Sequence, residues 1–219
     1  MPPRKRKFPS PYSLADSSNA VLSKRILKLA AEAKQRMMQF KFDELNVMDT
    51  MRTLYLDIDK DCRRTFKKLY HDRFTEMWLF LKDKQPDEDE LDELLELELE
   101  RLFEDVDEQT HYIWSTELNR KRDKATEAIW ASPSKLQKQL EVDKGIRWVS
   151  QQIGFYMDIV SDKAAFAALK EAGVDLVMWN AQEDTRVCKT CERLDGEIFE
   201  LDRIPEKPHL RCRCWLSPA

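Results

Sequence analysis

Apolar residues recur every three or four positions along most of the chain, which is the spacing of one face of an α-helix. The first stripe follows Asp16–Asn19, whose side chains suit a helix N-cap. The second begins after Asp43 and stops before Pro86, because proline disfavours helix in the residue that precedes it. The stripes comprise Leu22, Ile26, Leu29, Ala33, Met37 and Phe40, and then Met48, Met51, Tyr55, Ile58, Cys62, Phe66, Leu69, Phe74, Met77 and Leu81. We therefore predict two long helices before Pro86.

A third helix is predicted from Asp87 to Trp130. Its first turn is rich in carboxylates, which the helix macrodipole favours at that end. The segment "LELELE" alternates strictly and could be a strand, but leucine and glutamate are good helix formers and the neighbouring segments are helical. The buried stripe comprises Leu91, Leu95, Leu99, Leu102, Val106 and Ile113.

A fourth helix is predicted to start at Ser132 and Pro133, a capping residue followed by proline at the first helical position. It ends at Gly173, where a left-handed backbone is tolerated. Its stripe comprises Ile146, Val149, Ile153, Met157, Val160, Ala164 and Ala168. Beyond it, "VDLVMWN", the residues after the Asp195-Gly196 turn and "CRCWL" predict three short strands, with the cysteines in loops.

The predicted fold class is mainly α, an elongated bundle of long helices with a small C-terminal zinc-stabilised β-ribbon. Among the 219 residues, 42% are hydrophobic, 36% are charged and only four are glycine, which is typical of a helix-rich protein rather than a sandwich or barrel. Three parts are predicted: an extended basic arm over 1–16, interrupted by prolines, a helical domain over 17–173, and a zinc-ribbon-like domain over 174–219.

Charge is strongly segregated, although the net charge is only −4. Arg4–Lys7 are all basic, whereas Pro86–Glu100 carries nine carboxylates and no cation. The basic arm is a candidate for DNA contact through phosphates. No apolar run reaches the roughly 20 residues that cross a bilayer, and the N-terminus lacks the apolar core of a signal peptide. We expect synthesis and function in the cytosol, or in a particle assembled there, without a membrane partner.

Four of the five cysteines lie in the C-terminal part of the chain, whereas Cys62 falls on a helical apolar stripe and is expected to be a core thiol. Cys188 and Cys191 form C-x2-C, and His209 and Cys212 follow seventeen residues later as H-x2-C. Two such pairs can place sulfur about 2.3 Å and nitrogen about 2.0 Å from one tetrahedral zinc ion. Cys188, Cys191, His209 and Cys212 are therefore the predicted metal ligands, and Cys214 could replace His209.

Two other interpretations of these cysteines compete with a metal site: unrelated reduced thiols, and a redox C-x-x-C pair. A redox pair normally opens a helix within a larger α/β sheet, and turns and short strands are predicted here. A catalytic zinc would need an open position and a neighbouring base. Neither H-E-x-x-H nor the deaminase signature occurs, and His209 is the only histidine of this region. We expect a structural zinc and no enzymatic activity.

The last 40 or so residues resemble the phage Mu protein F-like head morphogenesis family, the minor head proteins of tailed bacteriophages. The resemblance covers about a fifth of the chain. It departs from the family pattern at Leu210, where the family commonly has proline. The matching residues are Asp184, Arg186, Cys188, Cys191, Leu194, Asp195, Gly196, Pro208, His209, Cys212, Arg213 and Cys214.

This resemblance implies a virion protein present in few but multiple copies at the portal vertex inside the capsid, assembled in the host cytoplasm. Its partners would be the portal protein and other head proteins, and it would aid head assembly and DNA packaging or ejection. The alternative is a nucleic-acid-binding zinc-ribbon module that uses the basic arm and Arg186, Arg193, Arg211 and Arg213. Acidic residues are interspersed with these arginines, which favours protein recognition, and Asp184 and Arg186 could pair locally.

Overall fold

Helices form most of the protein, and a small antiparallel sheet lies near its C-terminal end. These elements come from a computed structural model that describes residues 8–9, 12–104, 114–182, 187–209 and 212–219. The predicted fold class, mainly α with a small C-terminal β-element, is confirmed. Within the described ranges, no helix combines the length and the apolar composition that spanning a membrane requires.

The first helix, α1, spans Ser13–Gln39, so the predicted extended arm over 1–16 is wrong at its C-terminal end. The N–H of Asp16 already donates to the carbonyl of Tyr12 at 2.8 Å. The prolines of the arm stop at Pro11, and every later residue of this stretch has the N–H that a helix needs. The basic residues Arg4–Lys7 lie outside the described residues.

Helix α2 spans Glu44–Lys82, and most of the two predicted stripes is buried. The prediction that Phe40 is buried is wrong, because Phe40 is 57% exposed, whereas Phe42 is buried. The turn between α1 and α2 has positive φ at Lys41 and Phe42, and the N–H of Phe42 donates to the carbonyl of Met37. This backbone path brings Phe42 into the core. Met48, also predicted to be buried, is 50% exposed.

Helices α3, Glu88–Glu104, and α4, Trp114–Ala131, occupy the two ends of the predicted third helix. The carboxylate of Asp87 accepts hydrogen bonds from the N–H groups of Asp89 and Glu90, so Asp87 caps α3. The "LELELE" segment is helical, as predicted. Val106 and Ile113, with which the stripe was predicted to continue, lie outside the described residues.

Helix α5 spans Lys135–Glu171, and its N-cap is Ser134 rather than the predicted Ser132. The Ser134 hydroxyl accepts from the N–H of Gln137 at 3.2 Å, whereas the Ser132 hydroxyl donates to a carbonyl at the end of α4. Ser132 therefore belongs to the preceding helix. At the other end, Gly173 has φ +70° and begins a Schellman turn, in which Val174 N–H donates to the carbonyl of Leu169.

The sheet has the order β2-β1-β3, with both pairs antiparallel. Strand β1 is Leu176–Asn180, β2 is Ile198–Glu200 and β3 is Trp215–Pro218. Phe199 pairs with Val177, and Leu216 pairs with Trp179. The prediction of three short strands is confirmed. A six-residue helix, α6, and a short 3₁₀ turn after β2 were not predicted.

The chain divides into two compact units whose limits fall inside helices. The terminal unit contains the described residues of Met1–Asp16, Lys67–Glu98 and Met157–Ala219, and so includes the whole sheet. The middle unit contains those of Ser17–Phe66 and Leu99–Tyr156. The predicted helical domain over 17–173 is thus distributed over both units.

Candidate metal centre

The first half of the cysteine motif lies at the start of α6, Lys189–Leu194. Cys188 is the N-cap of this helix, and its sulfur accepts a hydrogen bond from the N–H of Cys191 at 3.4 Å. The sequence predicted turns and strands here, and that expectation counted against a redox pair. C-x-x-C does open a helix, so the prediction of turns and strands around it is wrong, and local structure does not exclude a redox pair. The surroundings of Cys191 distinguish the interpretations instead.

Cys191 joins the two halves of the motif. Its Sγ lies 3.3 Å from Sγ of Cys188, 3.5 Å from Sγ of Cys212 and 3.7 Å from Nε2 of His209. Two overlapping groups result, Cys188, Cys191 and His209 in one, and Cys191, Cys212 and Cys214 in the other, and the donor atoms within each group lie within 4.8 Å of one another. The pair is thus part of a five-residue cluster rather than an isolated dithiol.

These distances fit the geometry of a tetrahedral metal site. With metal–sulfur bonds of about 2.3 Å and metal–nitrogen bonds of about 2.0 Å, two ligand atoms lie about 3.8 Å apart for two sulfurs and about 3.5 Å apart for sulfur and nitrogen. The three measured separations, 3.3, 3.5 and 3.7 Å, are each within about half an ångström of these values. The cluster, with its soft sulfur and imidazole donors, could therefore hold a metal ion.

The electrostatics of the cluster favour two thiolates, one from each half of the motif. Hydrogen bonds from the backbone and side chain of Cys191 lower the pKa of Cys188 to about 7. A hydrogen bond from Cys214 lowers the pKa of Cys212 to about 5. Burial raises the pKa of Cys191 to about 12, and the hydrogen bond to Cys212 together with burial raises that of Cys214. Near neutral pH, a cation entering the cluster meets the Cys212 thiolate and a partly ionised Cys188, and it displaces protons from the remaining thiol ligands.

The motif residues between the cysteine pairs shape the backbone around the cluster. The Asp195 carboxylate accepts a hydrogen bond from the N–H of Ala181 at 2.7 Å and so ties the end of α6 to the end of β1. Gly196 has φ +78°, a conformation that favours glycine, and its N–H donates to the carbonyl of Trp179. Leu194 packs against the buried cluster of Trp179, Cys191, Cys212 and Cys214. These contacts explain the L-D-G of the motif.

The remaining sequence-predicted positions divide into those that the structure places and those that it does not describe. Cys62 is fully buried in the middle unit, as expected of a core thiol. The pairing of Asp184 with Arg186 stays a prediction, because both residues lie outside the described part, as do Leu210 and Arg211. Arg193 is exposed on α6.

Sequence reasoning missed Tyr12 and Lys207. The Tyr12 hydroxyl donates to the carbonyl of Cys214 at 2.8 Å, across 202 positions of the chain. The ammonium of Lys207 donates to the carbonyl of Cys212 at 3.2 Å. Neither residue belongs to a recognisable pattern, so no signal in the sequence marks them.

No family model, curated protein or solved structure matches this chain. The resemblance to the phage head morphogenesis family therefore stays a prediction that depends on the motif residues.

Proposed function

We propose that this chain is a minor head protein of a tailed bacteriophage, associated with the portal inside the capsid, and that a zinc ion held by the C-terminal cluster stabilises its fold. The observation that carries the proposal is the convergence of the C-x-x-C and H-x-x-C-R-C segments. The family resemblance depends on these two segments. Cys191 of the first segment lies close to Cys188 and also to His209 and Cys212 of the second.

Zinc is the metal that suits these donors best. Four thiols and one imidazole make a soft donor set, and zinc prefers tetrahedral sites built from sulfur and nitrogen. Our assignment of ligands is Cys188, Cys191, His209 and Cys212, with Cys214 as the alternative to His209. Two overlapping groups of three donors share Cys191, so side chains of this protein are available for all four positions, which supports a closed structural site rather than one that keeps a position open for substrate.

Exposed apolar residues support a role in binding other proteins. In the middle unit, Phe40 and Leu45 lie at the turn between α1 and α2 and are 57% and 72% exposed. Leu136, near the start of α5, is 67% exposed. Isolated exposed leucines are common, but large apolar side chains on long charged helices suit a protein that packs against partners in an assembly.

The direct test is co-expression of the chain with the portal protein encoded by the same genome, followed by size-exclusion chromatography. We expect the chain to co-elute with the portal oligomer and to contain about one zinc ion per copy by elemental analysis. A monomer that never co-elutes with portal would contradict the assignment. A Leu45→Ser, Leu136→Ser double variant should co-elute less while its zinc content stays unchanged.

The alternative, a nucleic-acid-binding zinc ribbon, predicts a different result. Such a module would bind single- or double-stranded DNA with an affinity that falls steeply as salt rises, because phosphate contacts release counterions. Fluorescence anisotropy with labelled DNA at several salt concentrations measures this. Binding of DNA without binding of portal would replace the head-protein proposal with the alternative.

A further inference from the structure

Tyr12 lies on the backbone of the metal-binding segment although it is 200 positions away in the chain. Its hydroxyl is 2.8 Å from the carbonyl oxygen of Cys214 and 3.4 Å from that of Cys212. The side chain of Tyr12 is buried, and so are both cysteines. The two acceptors are thus the main-chain carbonyls of residues whose side chains belong to the cluster.

Lys207 contacts both Tyr12 and the backbone of the same segment. Its ammonium donates to the Tyr12 hydroxyl at 3.1 Å and to the Cys212 carbonyl at 3.2 Å, and it forms an ion pair with Asp162 on α5. Lys207 therefore connects the cluster backbone to a carboxylate on a long helix. A three-donor ammonium that meets three acceptors is fully satisfied in this position.

Phe8 makes a second contact near Tyr12 in sequence, and Phe8 and Tyr12 are together called the N-terminal stretch. The ring of Phe8 stacks on Trp215 of β3 with centroids 4.7 Å apart, and it meets Phe80 of α2 edge-on at 5.1 Å. The guanidinium of Arg213 also lies 5.6 Å from the centre of the Tyr12 ring. Phe8 and Tyr12 thus both contact residues 212–215, the segment that carries the last two cysteines.

We infer that Tyr12 and Lys207 are positioning residues for the metal centre, and that metal binding and docking of the N-terminal stretch stabilise each other. This inference depends on the proposed zinc site. The hydrogen bonds fix the backbone of Cys212 and Cys214 at the place where their thiols meet Cys191. Conversely, a metal that draws Cys212 toward Cys191 holds the two carbonyls where Tyr12 and Lys207 need them.

Such coupling is reciprocal, because two events that favour the same arrangement each raise the equilibrium constant of the other by the same factor. Partners outside the ligand set commonly change metal affinity by about 10- to 100-fold. Removal of the Tyr12 hydroxyl also leaves the buried carbonyl of Cys214 without its donor, while the ring keeps its packing.

The experiment compares wild type with Tyr12→Phe. Zinc affinity is measured by competition with a chromophoric chelator, and we expect the affinity of the variant to be about tenfold lower. The unfolding midpoint is then measured with and without zinc. The rise that zinc causes should be smaller in the variant, because part of the coupling has been removed.

Tyr70→Phe is the matched control. The Tyr70 hydroxyl is buried in the same unit and has no hydrogen-bond partner among the described residues, so its removal should leave zinc affinity unchanged. If Tyr12→Phe folds poorly, Lys207→Met gives the same comparison, with Tyr70→Phe again as the control.

The outcomes separate this inference from the proposed function. Suppose that wild type binds zinc and that zinc raises the unfolding midpoint of the variants by as much as that of wild type. This result would overturn the positioning role and leave the zinc site intact. If Tyr12 and Lys207 had a purely structural role, their substitution would lower the stability of the zinc-free and zinc-bound proteins alike. The rise in the unfolding midpoint that zinc causes would then equal that of wild type. Wild type that binds no zinc would overturn both proposals.

Discussion

Asp158 on α5 shows how a single side chain in the terminal unit acquires unusual chemistry. Burial raises its pKa from 3.8 to about 6, and the nearby carboxylates of Asp162 and Asp16 act in the same direction. The cations Lys207 and Arg213 oppose this shift. The carboxylate is therefore a net cost to the fold near neutral pH.

The sign of this effect gives a pH prediction. Between about pH 4 and pH 6 the folded protein holds the Asp158 proton more tightly than the unfolded chain, so its contribution to stability is lost as pH rises through 6. We expect Asp158→Asn to be more stable than wild type at pH 7, by about 1–2 kcal/mol. The advantage should vanish below pH 4. Urea unfolding of both proteins from pH 4 to pH 7.5 measures the difference, and a difference that does not change with pH would contradict the assignment.

At the scale of elements, the glycine that follows α5 and the glycine in its interior obey local rules. Gly173 has φ +70°, and no atom of the described residues lies within 4 Å of an added Cβ, so a substitution there meets backbone strain. Gly154 lies inside the helix, where an added Cβ would be 3.8 Å from the Asn19 side chain, an ordinary contact. Replacement of glycine by alanine should therefore change the free energy of unfolding in opposite directions at the two positions.

We expect Gly173→Ala to lower the free energy of unfolding by about 1–2 kcal/mol, because the left-handed conformation is unfavourable for any residue with a Cβ. Gly154→Ala should raise it by up to about 1 kcal/mol, because alanine is the better helix former. Urea unfolding monitored by circular dichroism measures both. Two changes of the same sign would contradict this account of the helix end.

At the scale of the whole molecule, the terminal unit contains the small core that surrounds the metal-binding cluster. Trp179 and three cysteines are its buried members, and partly buried side chains such as Phe199 and Leu216 pack against them. So few apolar side chains bury little area, and structural zinc sites contribute on the order of 10 kcal/mol to folding. The proposed zinc ion should therefore be needed to hold the cluster together.

Removal of the proposed zinc ion with a chelator should lower the free energy of unfolding by several kcal/mol. Cys191→Ser should reproduce the loss and abolish the response to chelator, because Cys191 belongs to both groups of donors. Cys62→Ala is the control, since Cys62 lies in the middle unit, and its zinc content and chelator response should match those of wild type. A chelator-resistant wild type would refute the structural role of the metal.

Much of the fold could be predicted from local sequence, because helices, caps and turns depend on residues a few positions apart. The apolar spacing located α1 and α2, and Gly173 ended α5 as predicted. The spacing of Cys188, Cys191, His209 and Cys212 selected residues that lie together around Cys191. Local rules failed where two signals were close, as with Ser132 and Ser134, because either serine could cap the helix.

The amino-acid sequence by itself thus determined the helical character of the chain, its C-terminal strands and the donor residues of the cluster. Only the tertiary structure decided that Phe42 rather than Phe40 is buried, that Cys191 joins the two donor groups, and that Tyr12 holds the carbonyl of Cys214. The physical reason is range. Periodicity and capping act within a few residues, whereas these contacts depend on how distant segments pack, which no local pattern encodes.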